Sequence, residues 1–150
     1  MITKTTMLRL LTLAAALCAS LALTTSAADK KIQAGPKGGR LLEKTEPKAE
    51  FFVEKDRTIT VTFYDEKNKP VAPTEQTVTL IALARERQSV EFEKKENALV
   101  SKSKLPEGEP YPVILQFRQS TDAKPQNLRF KLDLSTCGGC KRAEYACACH

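Results

Sequence analysis

The feature that most constrains the fold of this chain is a strict alternation of apolar and polar side chains in several short segments. In residues 127–134, Leu128 and Phe130 belong to an apolar set, while Arg129 and Lys131 occupy the alternate positions. A repeat of two residues places neighbouring side chains on opposite faces of a β-strand. The pattern therefore predicts a strand with one face in a core and the other in water.

The same alternation recurs along most of the chain. Strands are predicted at residues 50–54, 57–64, 76–87, 89–94, 97–102, 111–118 and 127–134. About seven short strands separated by polar, Gly- and Pro-containing turns predict an all-β fold, an antiparallel β-sandwich. Residues 80–83 are apolar on both faces, so a helix is the alternative there. One helical turn is expected at residues 141–147.

The first 28 residues have the pattern of a cleaved secretory signal. Lys4 and Arg9 are basic, residues 10–23 form an apolar segment of 14 residues, and residues 25–28 are small. A spanning helix needs about 20 apolar residues, so a membrane anchor is the weaker interpretation. Cys18 lies inside this segment and would be removed with it. The sequence predicts a periplasmic or secreted protein.

The mature chain would be divided into a linker or turn (residues 29–37), a β-sandwich domain (38–134) and a Cys-rich tail (135–150). Loss of Lys4 and Arg9 leaves 22 basic and 18 acidic residues, a net charge of +4. The charges are mixed along the chain, whereas a nucleic-acid-binding surface requires clustered basic residues. We therefore expect no nucleic-acid partner, and no membrane span after signal cleavage.

The tail carries the residues with metal chemistry, in the pattern C-x₂-C-x₆-C-x-C-H. Cys137, Cys140, Cys147, Cys149 and His150 include four of the five cysteines and the only histidine. Thiolate and imidazole groups bind zinc and Cu(I). We predict one zinc or Cu(I) ion held by the four thiolates, with His150 as an alternative ligand or a support for one.

Two other interpretations of the tail stay open. An exported protein can form disulfides, so the four cysteines could lock the tail as two pairs. Disulfides that close such short loops would contribute little stability, however. Two cysteines separated by a single residue, such as Cys147 and Cys149, can form a disulfide only with strain. Alternatively, Cys137 and Cys140 could exchange disulfides, although that motif normally lies in a βαβ unit.

We expect no enzyme of the hydrolase or transferase kind. The single histidine is the last residue, and no nucleophile–base pair or phosphate-binding loop is present in the pattern. The acidic residues Glu91, Glu93 and Glu96 fit a solvated strand face and turn.

Residues 35–42 (GPKGGRLL) and 59–73 (ITVTFYDEKNKPVAP) carry a family resemblance. They resemble the small N-terminal β domain of the periplasmic adaptor, or membrane-fusion, subunits of heavy-metal efflux pumps. The resemblance covers about residues 35–134 and implies a stand-alone exported domain, with an efflux or membrane-associated protein as a partner. Lys37 stands where the family often has His, so this turn has no obvious metal ligand, and the tail is not part of the family pattern.

The position of the tail predicts how its site is built. Because the first cysteine pair follows the clearest strand directly, we expect that pair to be anchored at the sheet end. Residues 147–150 are expected to close over it from a mobile terminus.

Overall fold

A computed structural model describes residues 31–149 of the chain. The predicted signal at residues 1–28, with Cys18, and the terminal His150 lie outside the described residues. The described part is all-β, as predicted, with antiparallel pairing between the strands. Its one helical element is a 3₁₀ turn, Glu144–Ala146, inside the segment where a helical turn was expected.

Residues 31–149 contain nine strands, two more than the sequence pattern predicts. They are β1 Arg40–Leu42, β2 Lys48–Val53, β3 Ile59–Tyr64, β4 Pro70–Val71, β5 Thr77–Leu83, β6 Arg87–Lys95, β7 Ala98–Ser101, β8 Tyr111–Arg118 and β9 Gln126–Leu132. The additional strands, β1 and β4, have three and two residues. Segments that short contain no full alternation, which is why the period did not reveal them. The possible helix at residues 80–83 is strand β5.

The strands form one path in the order β1-β2-β3-β7-β6-β5-β8-β9, with β4 paired to β3. Strand β6 joins two layers, because its first half pairs with β5 and its second half, from Phe92 on, pairs with β7. One layer therefore contains β1, β2, β3, β4 and β7, and the other contains β5, β8 and β9. This is the predicted sandwich, with β1 and β9 at the two ends of the path.

The core lies between these layers and consists of the alternate residues that the sequence assigned to it. Phe51 and Phe63 from the first layer and Leu115 and Phe117 from the second are fully buried. The rings of Phe63 and Phe117 lie 6.3 Å apart, across the interface between the layers. Burying side chains of this size accounts for most of the driving force for folding.

Strand β3 lacks the predicted solvent-exposed face, since all six of its residues are buried. Thr60 and Thr62, predicted to face water, are 8% and 3% exposed. On this second face, the Thr60 hydroxyl donates to the Glu54 carboxylate at 2.9 Å, and Thr62 pairs across the strands with Glu50, which the turn at residues 35–39 encloses. The alternation of apolar and polar residues in one strand does not show whether its second face is also buried.

Glu50 is a buried carboxylate enclosed by the Gly-rich turn at residues 35–39. It accepts hydrogen bonds from the backbone N–H of Lys37 at 3.0 Å and of Gly39 at 2.7 Å, and from the Tyr64 hydroxyl at 2.7 Å. A Cβ on Gly35 would overlap this carboxylate. The turn thus needs glycine because the backbone must approach the side chain closely, and its motif has a structural role here.

Within residues 31–149, no helix has the length and apolar character needed to cross a bilayer.

Candidate metal centre

The tail leaves the sheet through a tightly bonded connection after β9. The backbone N–H and hydroxyl of Ser135 both donate to the Asp133 carboxylate, at 3.1 and 2.5 Å. These two bonds hold the Asp133 pKa below its usual value. Two backbone bonds then tie the returning chain to the outgoing one, from Glu144 N to the Ser135 carbonyl and from Tyr145 N to the Asp133 carbonyl. The two halves of the tail are therefore held side by side.

The segment between these halves is a compact turn that carries the first cysteine pair. The Cys137 N–H donates to the Arg142 carbonyl at 2.7 Å, and the Lys141 N–H donates to the Cys137 carbonyl at 3.1 Å. Lys141 takes a left-handed conformation with φ of 61° to close the turn. Thr136 and Ala143 pair as an isolated bridge at its base. The sulfur atoms at positions 137 and 140 thus project from a fixed backbone loop.

Tyr145 anchors the second half of the tail to the sandwich. Its ring is 4% exposed and packs edge-on against Phe51, with centroids 5.7 Å apart. Its hydroxyl accepts a hydrogen bond from the Val53 N–H at 3.0 Å, beyond the point where β1 stops pairing with β2. Burial raises the Tyr145 pKa to about 12, so the hydroxyl stays protonated. The tail is joined to the core by this side chain.

The four cysteine sulfurs converge on one point. All of them lie within 4.8 Å of one another. The Sγ atoms of Cys137 and Cys147 are 2.8 Å apart, and those of Cys140 and Cys147 are 3.7 Å apart. Cys147 Sγ also lies 3.5 Å from the Cys149 N–H. The predicted cysteine ligands are therefore together, and the fifth predicted ligand, His150, lies outside the described residues.

The cysteines differ strongly in exposure. Cys137 and Cys147 are 3% and 1% exposed, Cys140 is half-buried and Cys149 is exposed. The expectation that the whole second pair closes from a mobile terminus is wrong for Cys147. That residue is fixed because it directly follows Tyr145 and Ala146, which are both part of the core cluster.

Protonation also differs among the thiols. The Arg142 backbone N–H lowers the Cys140 pKa to about 6, and bonds from other thiols act in the same direction. The largest contribution thus comes from a backbone amide and not from a charged side chain. Contact with Cys137 raises the Cys147 pKa to about 12, and contact with Cys140 raises the Cys149 pKa. At neutral pH we therefore expect a thiolate at Cys140 beside protonated thiols at Cys147 and Cys149.

The sulfur positions fit a tetrahedral zinc ion after small movements. Zinc–sulfur bonds of about 2.3 Å place ligand sulfurs about 3.8 Å apart. The 3.7 Å separation of Cys140 and Cys147 matches this value, whereas the 2.8 Å pair, Cys137 and Cys147, would have to spread by about 1 Å. A set of thiolates suits zinc or Cu(I) more than the hard cations that prefer oxygen.

Two functional contributions were not apparent in the sequence. Tyr145 is the only aromatic residue within the cysteine cluster, and Glu50 is an acidic residue opening an apolar segment. Each residue type is unusual at its place in the sequence, but the residues that it contacts lie far away along the chain. The Gly-rich turn and the tail also lie close together, since Arg142 Nε is 3.9 Å from where a Cβ on Gly38 would stand.

Comparison of the chain with known protein families, with curated proteins and with solved structures returned no match.

Proposed function

We propose that this chain is an exported, non-enzymatic protein that binds one zinc or Cu(I) ion through Cys137, Cys140, Cys147 and Cys149. His150 is proposed as an alternative ligand or a support for one of the thiolates. The ion is soft or borderline because the donors are thiolates. The proposed location is the periplasm or the outside of the cell, from the signal-like pattern of residues 1–28.

The observation that carries the proposal is the convergence of four free sulfurs within 4.8 Å. Cys147 lies at the centre, with Cys137 and Cys140 on two sides and the Cys149 backbone on a third. Two separate disulfides would require each sulfur to approach one partner only. A single ion requires four sulfurs close together, and separations of 4.8 Å or less are compatible with that requirement.

The test is to purify the mature protein from the exported compartment and to measure its metal content and free thiols together. We expect one zinc or copper per chain by elemental mass spectrometry, and four thiols that react only after the metal is removed. Cys147→Ser should abolish the bound metal. A protein without metal whose four thiols are already oxidised would overturn the proposal.

A disulfide-locked tail is the second candidate, and one distance favours it. Cys137 and Cys147 Sγ atoms are 2.8 Å apart, so a movement of less than about 1 Å would bring them to the disulfide length of about 2.05 Å. In this case the domain would be a structural or interaction module with Cys140 and Cys149 as the second pair. Peptide mapping without reduction distinguishes it, because it predicts these two linked peptides.

A thiol–disulfide oxidoreductase is the third candidate, supported by the low pKa of Cys140 in a C-x-x-C turn. The turn follows a β-strand in an all-β fold, unlike the βαβ setting in which such motifs usually act. Catalytic reduction of a model disulfide that is lost in Cys140→Ser would support this candidate.

We further propose that the protein works beside a heavy-metal efflux system, with an efflux or membrane-associated protein as a partner. The support is the resemblance of residues 35–134 to the adaptor-subunit β domain. Co-purification of an efflux component with the exported protein, in cells exposed to zinc or copper, tests this role.

A further inference from the structure

The four cysteines differ in solvent exposure, and this difference indicates the side from which a bound ion can leave. Cys137 and Cys147 are buried and Cys140 is half-buried, so protein surrounds three sides of the sulfur cluster. Cys149 alone is exposed. The side of the cluster that is most accessible to an incoming ligand is therefore the one that Cys149 occupies.

The contacts of the tail likewise distinguish three cysteines that are fixed in position from Cys149, which is less constrained. The turn bonds between Cys137, Lys141 and Arg142 hold the first pair, and the buried Tyr145 holds Cys147. Cys149 lies beyond these anchors, and its backbone N–H approaches Cys147 Sγ at 3.5 Å. Its sulfur rests over Gly139, where an added Cβ would lie 3.1 Å from it.

We infer that Cys149 is the exchangeable ligand through which a thiol-bearing acceptor takes the metal, so that the protein passes its ion on to another molecule. This inference rests on the proposed metal binding. In the first step, the bond between the metal and the Cys149 sulfur breaks and a bond to an acceptor sulfur forms; the bonds to Cys137, Cys140 and Cys147 then break in turn as further acceptor thiols bind the ion. The proton of each acceptor thiol passes to the protein thiolate that it replaces or to water, and the metal keeps its oxidation state.

The mechanism predicts how the transfer rate depends on the acceptor. Because the acceptor enters while three protein thiolates still hold the ion, the rate should rise in proportion to acceptor concentration. A site that first releases its ion into solution would give a rate independent of that concentration. Loss of Cys149 should open the position and accelerate transfer, whereas loss of a buried cysteine should remove the binding itself.

The experiment uses the full mature chain loaded with Zn²⁺, with the number of ions per chain followed over time by native mass spectrometry. The acceptors are glutathione, as a small thiol, and a peptide with a C-x-x-C pair, as a protein-like dithiol; the faster one identifies the source of the accepting thiolate. If wild-type protein holds no Zn²⁺ at the start, the proposed function fails before exchange is measured.

Two pairs of variants decide the inference. Cys149→Ser loses one of the four thiolate ligands, so it should still bind one Zn²⁺ more weakly than the wild type, and it should transfer the ion at least about tenfold faster because one coordination position is open. Cys147→Ser should bind none. Gly139→Ala, which crowds the Cys149 sulfur, should also accelerate transfer. Gly138→Ala is the matched control, because nothing lies within 4 Å of its added Cβ.

A rate that does not change with acceptor concentration would overturn the inference. Equal loss of zinc in Cys149→Ser and Cys147→Ser would also overturn it, because the four ligands would then be equivalent. The same holds if Gly138→Ala and Gly139→Ala change the transfer rate equally.

Discussion

Replacing Tyr145 with Phe tests whether the tail is part of the sandwich. The substitution keeps the buried ring against Phe51 and removes only the hydroxyl that accepts the Val53 N–H. A buried donor left without its partner costs about 1–3 kcal/mol. Val53 is partly exposed, so water can replace some of the lost bond, and we expect about 1–2 kcal/mol. Thermal unfolding should then shift downward by roughly 3–5 °C for each kcal/mol.

The same variant should weaken metal binding, because Tyr145 fixes the position of Cys147. The loss of affinity cannot exceed the free energy of the hydrogen bond that fixes it, about 2 kcal/mol at most, so we expect no more than about a 30-fold decrease. Competition with a zinc chelator of known affinity measures the change. The expectation is a coordinated decrease in unfolding temperature and zinc affinity.

Tyr64→Phe is the matched control for this prediction. It also removes one buried hydroxyl, but this hydroxyl donates to Glu50 at 2.7 Å and not to a residue of the tail. It should lower the stability by about 1.5–3 kcal/mol, since the acceptor is a carboxylate, and leave zinc affinity unchanged. The reasoning is refuted if Tyr145→Phe unfolds at the wild-type temperature, or if Tyr64→Phe weakens zinc binding equally.

Three further predictions concern the buried carboxylate, the thiols and the ion. Glu50→Gln should destabilise the fold by about 1.5–3 kcal/mol in urea titration, because one oxygen that accepts hydrogen bonds becomes a donor, without changing zinc affinity. In the metal-free protein at pH 7, iodoacetamide should modify Cys140 before the more exposed Cys149. Because the thiolate is the reacting form and the Cys140 pKa is lowered to about 6, the rate should halve near pH 6 and fall further as the pH drops. Removing the metal with a chelator should lower the unfolding temperature while the far-ultraviolet circular dichroism of the sheet is retained, since the ligand stabilises only by mass action.

Much of the fold could be predicted from the sequence because most strands have one buried face. In β5, β8 and β9 the period of two shows directly in burial, as for Val113, Leu115 and Phe117. The alternation fails where a strand is covered twice, as at Thr60 and Thr62, because the covering segment belongs to another part of the chain. The two shortest strands lack a period altogether.

The sequence predicted the cysteine ligands of the site but not the contacts that attach the tail to the sandwich. Cysteine spacing within thirteen residues is a local property, so the convergence of four sulfurs follows from the sequence with little tertiary information. The bond between Tyr145 and Val53 joins residues 92 positions apart, and no local pattern encodes it. This single contact changes the tail from an appended segment into a packed one.

That attachment bears on whether an ion could be released. In small zinc domains the metal supplies most of the folding free energy, so losing the ion unfolds the protein. Here the sheets are held by the core around Phe51 and Phe117, and the tail is held by Tyr145 and by backbone bonds to Asp133 and Ser135. None of these contacts involves a cysteine sulfur. We therefore expect the fold to persist without the ion, and a site whose scaffold remains intact when empty can give up a metal and bind another.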